Sequence, residues 1–247
     1  MDGTLQHLDG SAAAGAGLRP RLPAWKPDER AGKKPEGEWH DLPPAFIKAL
    51  KTAVPFADTH PSAGAFMGVM LHEAHAYATC NSVLVEVECG GPVPEAVVPL
   101  ALAQLLMKRR VPPTAMLASG GIVAFAWDDG TWIEFAFPHE VLAIVPAKFA
   151  EWREPEWEIT TDWKEQYRAA AGTGGDRIVI GPTTISAGFG VSVVCCEAET
   201  PVEDETIWSP TVLAPVIELA ERIDFTSHPT GGCFAFAGGR GLVACCR

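Results

Sequence analysis

The segment MLHEAHAYATC, residues 70–80, brings together side chains that commonly bind metals. His72, Glu73 and His75 fall within four residues, and Cys80 follows shortly after. Imidazole, carboxylate and thiolate groups are the usual ligands of zinc. The helical motif of zinc proteases needs two histidines four positions apart, whereas here they are three apart. The alternative is the tip of a β-hairpin, in which His72 and Glu73 point to opposite faces.

The cysteines and the other polar motifs indicate no further site. The seven cysteines are Cys80, Cys89, Cys195, Cys196, Cys233, Cys245 and Cys246. Their number is odd and no CxxC occurs, so a disulfide framework is not indicated. Adjacent strand residues point to opposite faces, which favours buried free thiols over a zinc site made from the two adjacent pairs. The glycine-rich residues 170–177 follow a helix, the wrong order for a phosphate loop. No catalytic residue, metal or cofactor is predicted.

Length and composition predict a globular chain of two domains. The chain has 247 residues, and 47% of them are hydrophobic, which is enough for two cores. No run reaches the roughly 18 apolar residues that span a membrane, and no secretory signal is visible. We therefore expect a cytoplasmic protein with reduced thiols. Residues 1–37, rich in Pro, Gly and charge, predict an irregular arm that is favoured to be a solvated tail, although its six basic residues could touch DNA or a partner.

The rest of the chain alternates between helical and strand-like periods. Four helices are predicted, at residues 44–57, 99–110, 162–171 and 209–222. In the first helix, Phe46 and Leu50 share one apolar face. Pro215 is awkward within the fourth, so we expect a late start or a kink there. Short apolar runs between Gly, Ser and Asp turns predict about sixteen strands, and WDDGTW is typical of a tight hairpin.

The sequence contains an internal duplication. GIVAFAWDDGTWIEF, from Gly121, aligns with GCFAFAGGRGLVACC, from Gly232, at a shift of 111 residues. The two AFA runs align at this shift, and so do Gly130 and Gly241. We interpret the pattern as two copies of the order strand, helix, three strands, strand, helix, three strands. The predicted domains after the arm are residues 38–146 and 147–247.

The predicted helices and the rest of the chain differ in charge. The net charge of −12 argues against simple nucleic-acid binding. The helices nevertheless carry eight basic residues against four acidic ones, whereas the remainder after residue 41 carries five against twenty. The eight are Lys48, Lys51, Lys108, Arg109, Arg110, Lys164, Arg168 and Arg222. Such a face would suit a polyanion bound through its phosphates without sequence preference. The simpler alternative is that surface helices are often rich in Lys and Arg.

Four segments after the arm follow the pattern of a known family. They are LPPAFIKALKTAVPFA, EAVVPLALAQLLMKRR, FAFPHEVLAIVP and GLVACCR. Their order, the duplication and the charge division resemble the DNA sliding clamp of the bacterial type, the β subunit of the replicative polymerase. The resemblance covers residues 38–247. Between Thr79 and Leu84 the family's usual residues are absent, and Cys245 and Cys246 replace a tail with Met and Pro, so we expect an altered peptide groove.

The resemblance implies an α+β fold of two clamp domains, each with antiparallel sheets outside and two helices inside. It implies a processivity factor without catalytic activity that encircles duplex DNA, with the eight basic residues facing the DNA. Peptides of a polymerase and a clamp loader would bind a partner groove formed by Thr79, Leu84, Pro138, Ile144, Val243 and Ala244. Bacterial clamps of this type have three domains and close as dimers, so two domains per chain imply a homotrimer with six domains in the ring.

Two alternatives remain open at this point. The first is a clamp-like interaction module that never closes a ring. The second is a metal-dependent enzyme that uses His72 and His75.

Overall fold

The computed structural model describes residues 34–60, 63–80, 82–189, 192–228 and 231–245. Pro35–Arg247 forms one unit of the chain. Most of the predicted arm, residues 1–33, lies outside the described residues. None of the helices in the described part combines the length and the apolar character that a membrane span requires.

The first half of the chain contains eight strands and two helices among the described residues. The strands are β1 (His40–Asp41), β2 (Gly68–His72), β3 (His75–Thr79), β4 (Val83–Glu88), β5 (Ala96–Pro99), β6 (Ala115–Ser119), β7 (Ile122–Ala126) and β8 (Trp132–Ala136). The helices are α1 (Phe46–Ala53) and α2 (Leu100–Lys108). Two 3-10 turns, Val54–Phe56 and Gly64–Met67, lie between α1 and β2.

The second half has the same number of strands. They are β9 (Trp157–Glu158), β10 (Ile178–Ile180), β11 (Thr184–Phe189), β12 (Ser192–Glu197), β13 (Thr206–Trp208), β14 (Arg222–His228), β15 (Gly231–Phe236) and β16 (Gly239–Ala244). The helices are a short α3 (Ile144–Ala147), α4 (Thr161–Ala171) and α5 (Pro210–Leu219). A 3-10 turn, Lys148–Glu151, follows α3. We call residues 137–156, between β8 and β9, the connector.

The predicted order of elements is present twice in the described residues. Each half runs strand, helix, four strands, helix, three strands, and the α+β prediction is confirmed. The helices form where the apolar spacing predicts them. In α1, for example, Phe46, Ala49, Leu50 and Ala53 recur at helical spacing and are buried. Pro55 follows, and the chain leaves the helix through a 3-10 turn.

In the described residues all strand pairs are antiparallel, and they form three sheets. One sheet belongs to the first half, in the order β1-β6-β7-β8, and one to the second, in the order β12-β11-β10-β13. The third has eight strands in the order β5-β2-β3-β4-β16-β15-β14-β9. The two halves therefore join at the β4–β16 pair, where Val83 lies opposite Val243 and Leu84 opposite Leu242.

The eight-stranded sheet has two different faces. Alternate residues such as Val83, Val85 and Phe234 belong to a core that also includes the buried residues of the four long helices. The residues between them form a second cluster on the other face, which includes Leu84 and Leu242 together with buried side chains of the connector. Strand period 2 produces this division. We call the two sides the helical face and the connector face.

The fourth helix differs from the prediction at both ends. It begins at Pro210 and includes Pro215, so the expected late start is wrong. Proline suits the first position of a helix, where the missing N–H has no partner in any case. The helix ends at Leu219 rather than residue 222, because the backbone of Ala220 is extended. Arg222, predicted on this helix, is therefore the first residue of β14.

The alignment at a shift of 111 residues holds only as far as β7. Phe125 and Phe236 both pack in the core of the helical face. Gly130, however, lies in a turn with φ of +82°, whereas Gly241 lies inside β16. The loops explain the slip: residues 127–131 separate β7 from β8, but only residues 237–238 separate β15 from β16. The turn in WDDGTW is thus wider than a two-residue hairpin.

Candidate functional site

The His72–His75 segment is the tip of a hairpin. His72 ends β2, His75 begins β3, and the two residues pair directly. The Glu73 backbone has φ of +54°, which a tight turn requires. His72 Nδ1 lies 3.4 Å from an oxygen of Glu95. In the described residues no group of three or more His, Cys, Asp or Glu side chains could hold a metal ion. The hairpin interpretation is confirmed, and the metal-enzyme alternative has no ligand cluster in this part of the chain.

The described members of the two adjacent cysteine pairs, Cys195, Cys196 and Cys245, form no metal-binding group. Cys195 is exposed and Cys196 half-buried on β12, in the sheet of the second half, whereas Cys245 follows the last strand of the eight-stranded sheet. Cys246 lies outside the described residues. Cys89 is buried, and this burial raises the pKa of its thiol to about 12, which makes it unreactive at neutral pH.

A groove of about 300 Å³ lies beside the β4–β16 joint on the connector face. It is lined by Phe66, Thr79, Ser82, Val83, Leu84, Ile144, Val145, Lys148, Leu242, Val243 and Ala244. Five of the six predicted groove residues are therefore brought together: Thr79, Leu84, Ile144, Val243 and Ala244. Pro138 is not among the lining residues, so its place in the groove stays a prediction. Asn81, one of the departures from the family pattern, lies outside the described residues.

The floor and the wall of the groove come from different parts of the chain. The floor is the strand joint, because Thr79 pairs with Leu84, and Leu84 pairs with Leu242. The wall is the connector, where Val145 is buried and Ile144 is 62% exposed. Lys148 is the one cation among the lining residues of the described chain. The groove is thus an open apolar surface with one positive charge at its rim.

The sequence interpretation missed six lining residues: Ser82, Val83, Val145 and Leu242, which lie close to predicted ones in the sequence, and Phe66 and Lys148. Phe66 lies in the 3-10 turn before β2, and Lys148 begins the 3-10 turn after α3. Neither residue stands in a periodic pattern that predicts its position. Lys148 lies only two residues beyond the connector segment FAFPHEVLAIVP, and this short distance was the available signal.

On the helical face, the first half presents cations without acidic neighbours on its helices. Lys48 and Lys51 are exposed on α1, and Lys108 is exposed at the end of α2. Arg110 follows and is exposed, while the Arg109 guanidinium lies 4.4 Å from the centroid of the Trp127 ring. None of the ion pairs found in the described residues involves Lys48, Lys51, Lys108 or Arg110.

In the second half, the helix cations bind groups of the protein itself. Arg168 on α4 donates two hydrogen bonds of 2.7 Å to the two carboxylate oxygens of Glu218 on α5. Lys164 Nζ donates to the backbone oxygens of Glu218 at 3.2 Å and Ala220 at 2.9 Å. Burial lowers the pKa of Lys164, and the charge of Glu218 opposes this shift. These cations therefore tie α4 to the C-terminal end of α5, where positive charge is favourable.

Arg222 also has an internal partner. It forms an ion pair with Glu154 of the connector and donates to the backbone oxygen of Pro155 at 3.3 Å. Of the eight predicted DNA-facing residues, the structure thus leaves five whose side chains form neither an ion pair nor a hydrogen bond in the described chain: Lys48, Lys51, Lys108, Arg110 and Arg109, the last of which contacts the Trp127 ring instead.

Comparison with known proteins gives the fold. No family model matches the sequence, and no curated protein matches it either. A crystal structure of the Caulobacter crescentus β sliding clamp superposes with a TM-score of 0.65 at 16% identity, over 88% of this chain and 69% of that one. The chain has the sliding-clamp fold.

Other clamp structures agree. The Helicobacter pylori β clamp bound to a DNA ligase peptide has a TM-score of 0.65 at 9% identity, over 88% of this chain and 69% of the other. The Pseudomonas aeruginosa clamp bound to griselimycin has a TM-score of 0.65 at 12% identity, over 87% and 67%. The resemblance to bacterial polymerase III β clamps is confirmed at the level of the fold. The chain has the helices and strands of the clamp fold, although few of its residues are identical to those of the known clamps.

Proposed function

We propose that this chain is a DNA sliding clamp, a processivity factor that closes a ring of identical copies around duplex DNA and tethers a polymerase. The observation that carries the proposal is the clamp fold, in which the edge strands β8 and β12 are available for assembly. The function would be binding rather than catalysis, since a closed ring needs only weak contacts to stay on DNA. The domains at residues 38–146 and 147–247 remain our proposed units of the ring.

The strand edges support association of one copy with the next. By their order in the repeat, β8 in the first half corresponds to β16 in the second, and β12 in the second half corresponds to β4 in the first. Among the described strands, β8 and β12 each form one edge of their sheet, opposite the edges formed by β1 and β13. An unpaired edge is a template for another strand. We therefore propose that β12 of one copy pairs with β8 of the next, as β4 pairs with β16 within the chain.

The side chains on these edges suit such a joint. Val193 and Val194 on β12 are 70% and 39% exposed. Val194 on β12 pairs with Ala187, and its counterpart Val85 on β4 pairs with Ala78. Phe135 on β8 pairs with Val123, and its counterpart Gly241 on β16 pairs with Phe234. Because Val85 lies opposite Gly241, Val194 would lie opposite Phe135 of the next copy. The apolar side chains that are half-exposed in one chain would then be covered.

The two binding surfaces have separate roles in this proposal. Lys48, Lys51, Lys108 and Arg110 would contact DNA phosphates without reading the sequence. The groove would hold a short apolar peptide of a polymerase or a loader, and Lys148 would favour a partner with an acidic residue. The ligase peptide on the Helicobacter pylori clamp supports a peptide as the occupant. DNA and peptide would therefore bind opposite faces of the eight-stranded sheet.

The deciding experiment is the solution mass by light scattering on a sizing column. Six domains in the ring require three chains, so we expect about 79 kDa, three times the 26.3 kDa of one chain. Val194→Lys should give a folded monomer, because a charge on an edge strand opposes pairing. Val111→Lys is the matched control, since Val111 is 60% exposed but lies on no strand edge. A wild-type monomer would contradict ring closure and favour the interaction module.

A further inference from the structure

A charged pair lies on the connector face of the β4–β16 joint, on an otherwise apolar surface. Glu86 of β4 and Arg240 of β16 are directly opposite each other. Arg240 Nε donates to Glu86 Oε1 at 2.7 Å, and the Glu86 side chain is 10% exposed. A carboxylate withdrawn from water in this way needs its partner, because an unpaired buried charge is strongly destabilising. The pair joins residues that are 154 positions apart in the sequence.

Two aromatic rings of the connector cover the guanidinium. The Arg240 carbon Cζ lies 5.0 Å from the centroid of the Phe149 ring and 5.1 Å from that of Trp152. A cation over an aromatic face is attracted by the ring's electrons. The planar guanidinium therefore contacts the carboxylate through its edge and the connector through its face, a combination that lysine cannot reproduce.

Tyr77 completes the network from the neighbouring strand. It lies opposite Glu86 on β3, and its ring is 6.1 Å from that of Phe149. Burial, followed by the charge of Glu86 and a hydrogen bond to it, raises the pKa of Tyr77 well above its ordinary value. The hydroxyl thus stays protonated and available to Glu86 at any physiological pH. Strands from both halves and the connector meet at this one ion pair.

We infer that Arg240 is the positioning residue that holds the connector over the strand joint and so fixes the wall of the groove. The inference rests on the proposed role of the groove. Phe149 follows Lys148 directly, and it shares its apolar cluster with Val145. Both Lys148 and Val145 line the groove. Movement of Phe149 away from Arg240 would therefore displace the groove wall.

The Glu86–Arg240 ion pair belongs to the β4–β16 joint and is not part of the pattern that the two halves share. Arg240 on β16 pairs with Ala235 on β15. At the corresponding place in the first half, Ala124 on β7 pairs with Glu134 on β8, so Glu134 stands where Arg240 would be. At the position of Glu86, strand β12 has Cys195. The open edges β8 and β12 therefore lack the ion pair. Among these four described strands, the ion pair is found at the β4–β16 joint, which carries the groove.

Two variants of the full-length chain test the inference. Arg240→Lys keeps the positive charge but loses the planar face. Glu86→Leu with Arg240→Met removes both charges, so neither is left buried and unpaired, and such replacements commonly preserve folding. Arg177→Lys is the matched control, because Arg177 is exposed in the loop before β10 and belongs to neither β4, β16 nor the connector.

Hydrogen exchange of the connector amides is the first measurement. The amides of Val145, Ala147 and Trp152 donate to Leu142, Ala143 and Phe149. In both variants we expect them to exchange about tenfold faster, with amides of β10 and β11 unchanged. Arg177→Lys should behave as wild type. Unchanged connector exchange in the folded double variant would overturn the inference.

Binding of a short apolar peptide with one acidic residue, the occupant proposed for the groove, is measured by calorimetry and links the connector to the groove. If the wild type binds this probe, both variants should bind it about tenfold more weakly. Faster connector exchange with unaltered affinity would overturn the link to the groove wall. Absence of wild-type binding would instead contradict the proposed role of the groove, while the exchange data would still decide whether Arg240 holds the connector.

Discussion

The two halves of the chain have the same order of helices and strands, but the basic residues of their helices have different surroundings. In the first half, the segments 44–57 and 99–110 contain five basic residues and no acidic one. In the second half, Lys164, Arg168 and Arg222 stand beside four acidic residues, and all three have partners within the protein. The comparison teaches that a count of cations on a helical face does not measure its capacity to bind an anion.

The difference follows from how each helix pair is held. Helices α1 and α2 pack through apolar residues such as Leu50 and Leu102, which are almost fully buried. Helices α4 and α5 add polar links, in which Arg168 and Lys164 reach across to the end of α5. A cation engaged in this way is partly neutralised and has lost side-chain freedom. We therefore expect DNA contact to depend on the first half.

The largest expected effect is on DNA binding by the first half. Lys48→Gln with Lys51→Gln should lower the affinity for a short duplex about tenfold at roughly 0.1 M salt, because two phosphate contacts are lost. The slope of log affinity against log salt should become shallower by about two. Fluorescence anisotropy across a salt series measures both quantities.

The matched control for this prediction is the second-half pair Lys164→Gln with Arg168→Gln. It removes two cations from the same helical face, but these are cations with internal partners. We expect it to change duplex affinity by no more than about twofold. Equal losses of duplex affinity in the two double variants would show that both halves contribute alike to DNA binding, which would contradict the proposed difference between them.

The fold was largely predictable from the sequence because its signals are local. The helical spacing of Phe46 and Leu50 defines α1, and the short apolar runs define most strands. The repeated order then points to two copies of one unit. Five groove residues were also predicted, but through the resemblance to the clamp family and not from a local pattern.

The errors and omissions arise where distant parts of the chain meet. Arg168 binds a glutamate 50 positions away and Arg240 one that is 154 positions away, and no local pattern records either pair. Arg222 was placed on a helix because the apolar spacing continues past Leu219, whereas pairing with β9 and β15 makes it a strand residue. Tertiary contacts, not propensity, decide such positions.

A smaller effect is expected at the start of α4, the one long helix in the described residues with a side-chain cap. The Thr160 hydroxyl accepts a hydrogen bond of 3.1 Å from the Trp163 amide. Thr160→Ala should lower the free energy of unfolding by about 1 kcal/mol, because this amide loses its acceptor. Urea unfolding followed by circular dichroism measures the change.

The neighbouring residue supplies the control for the cap. Thr161 is exposed at the first helical position, and no side-chain hydrogen bond is found for it in the described residues. Thr161→Ala should leave stability nearly unchanged. Equal effects of the two substitutions would mean that the cap contributes nothing specific to α4.

The smallest expected effect is the loss of the Arg168–Glu218 pair, since both side chains are about half exposed and such pairs contribute little. The hydrogen bond and charge of Arg168 hold the pKa of Glu218 below its ordinary value. A lowered folded-state pKa stabilises the protein above the unfolded-state value of about 4.3, and this contribution is lost as the pH falls through the folded-state pKa. Arg168→Gln should therefore be slightly less stable than wild type at pH 7.

The pH dependence distinguishes the ion pair from a general packing defect. Urea unfolding of wild type and Arg168→Gln at neutral and at acidic pH should give curves that differ at pH 7 and converge once Glu218 is protonated. Arg177→Gln, which removes an exposed arginine from the same half, should match wild type throughout. A difference that persists in acid would mean that Arg168 stabilises α4 against α5 through its packed stem rather than its charge. In that case the second half would differ from the first in packing. The internal ion pair of the second half would then contribute nothing measurable to its stability.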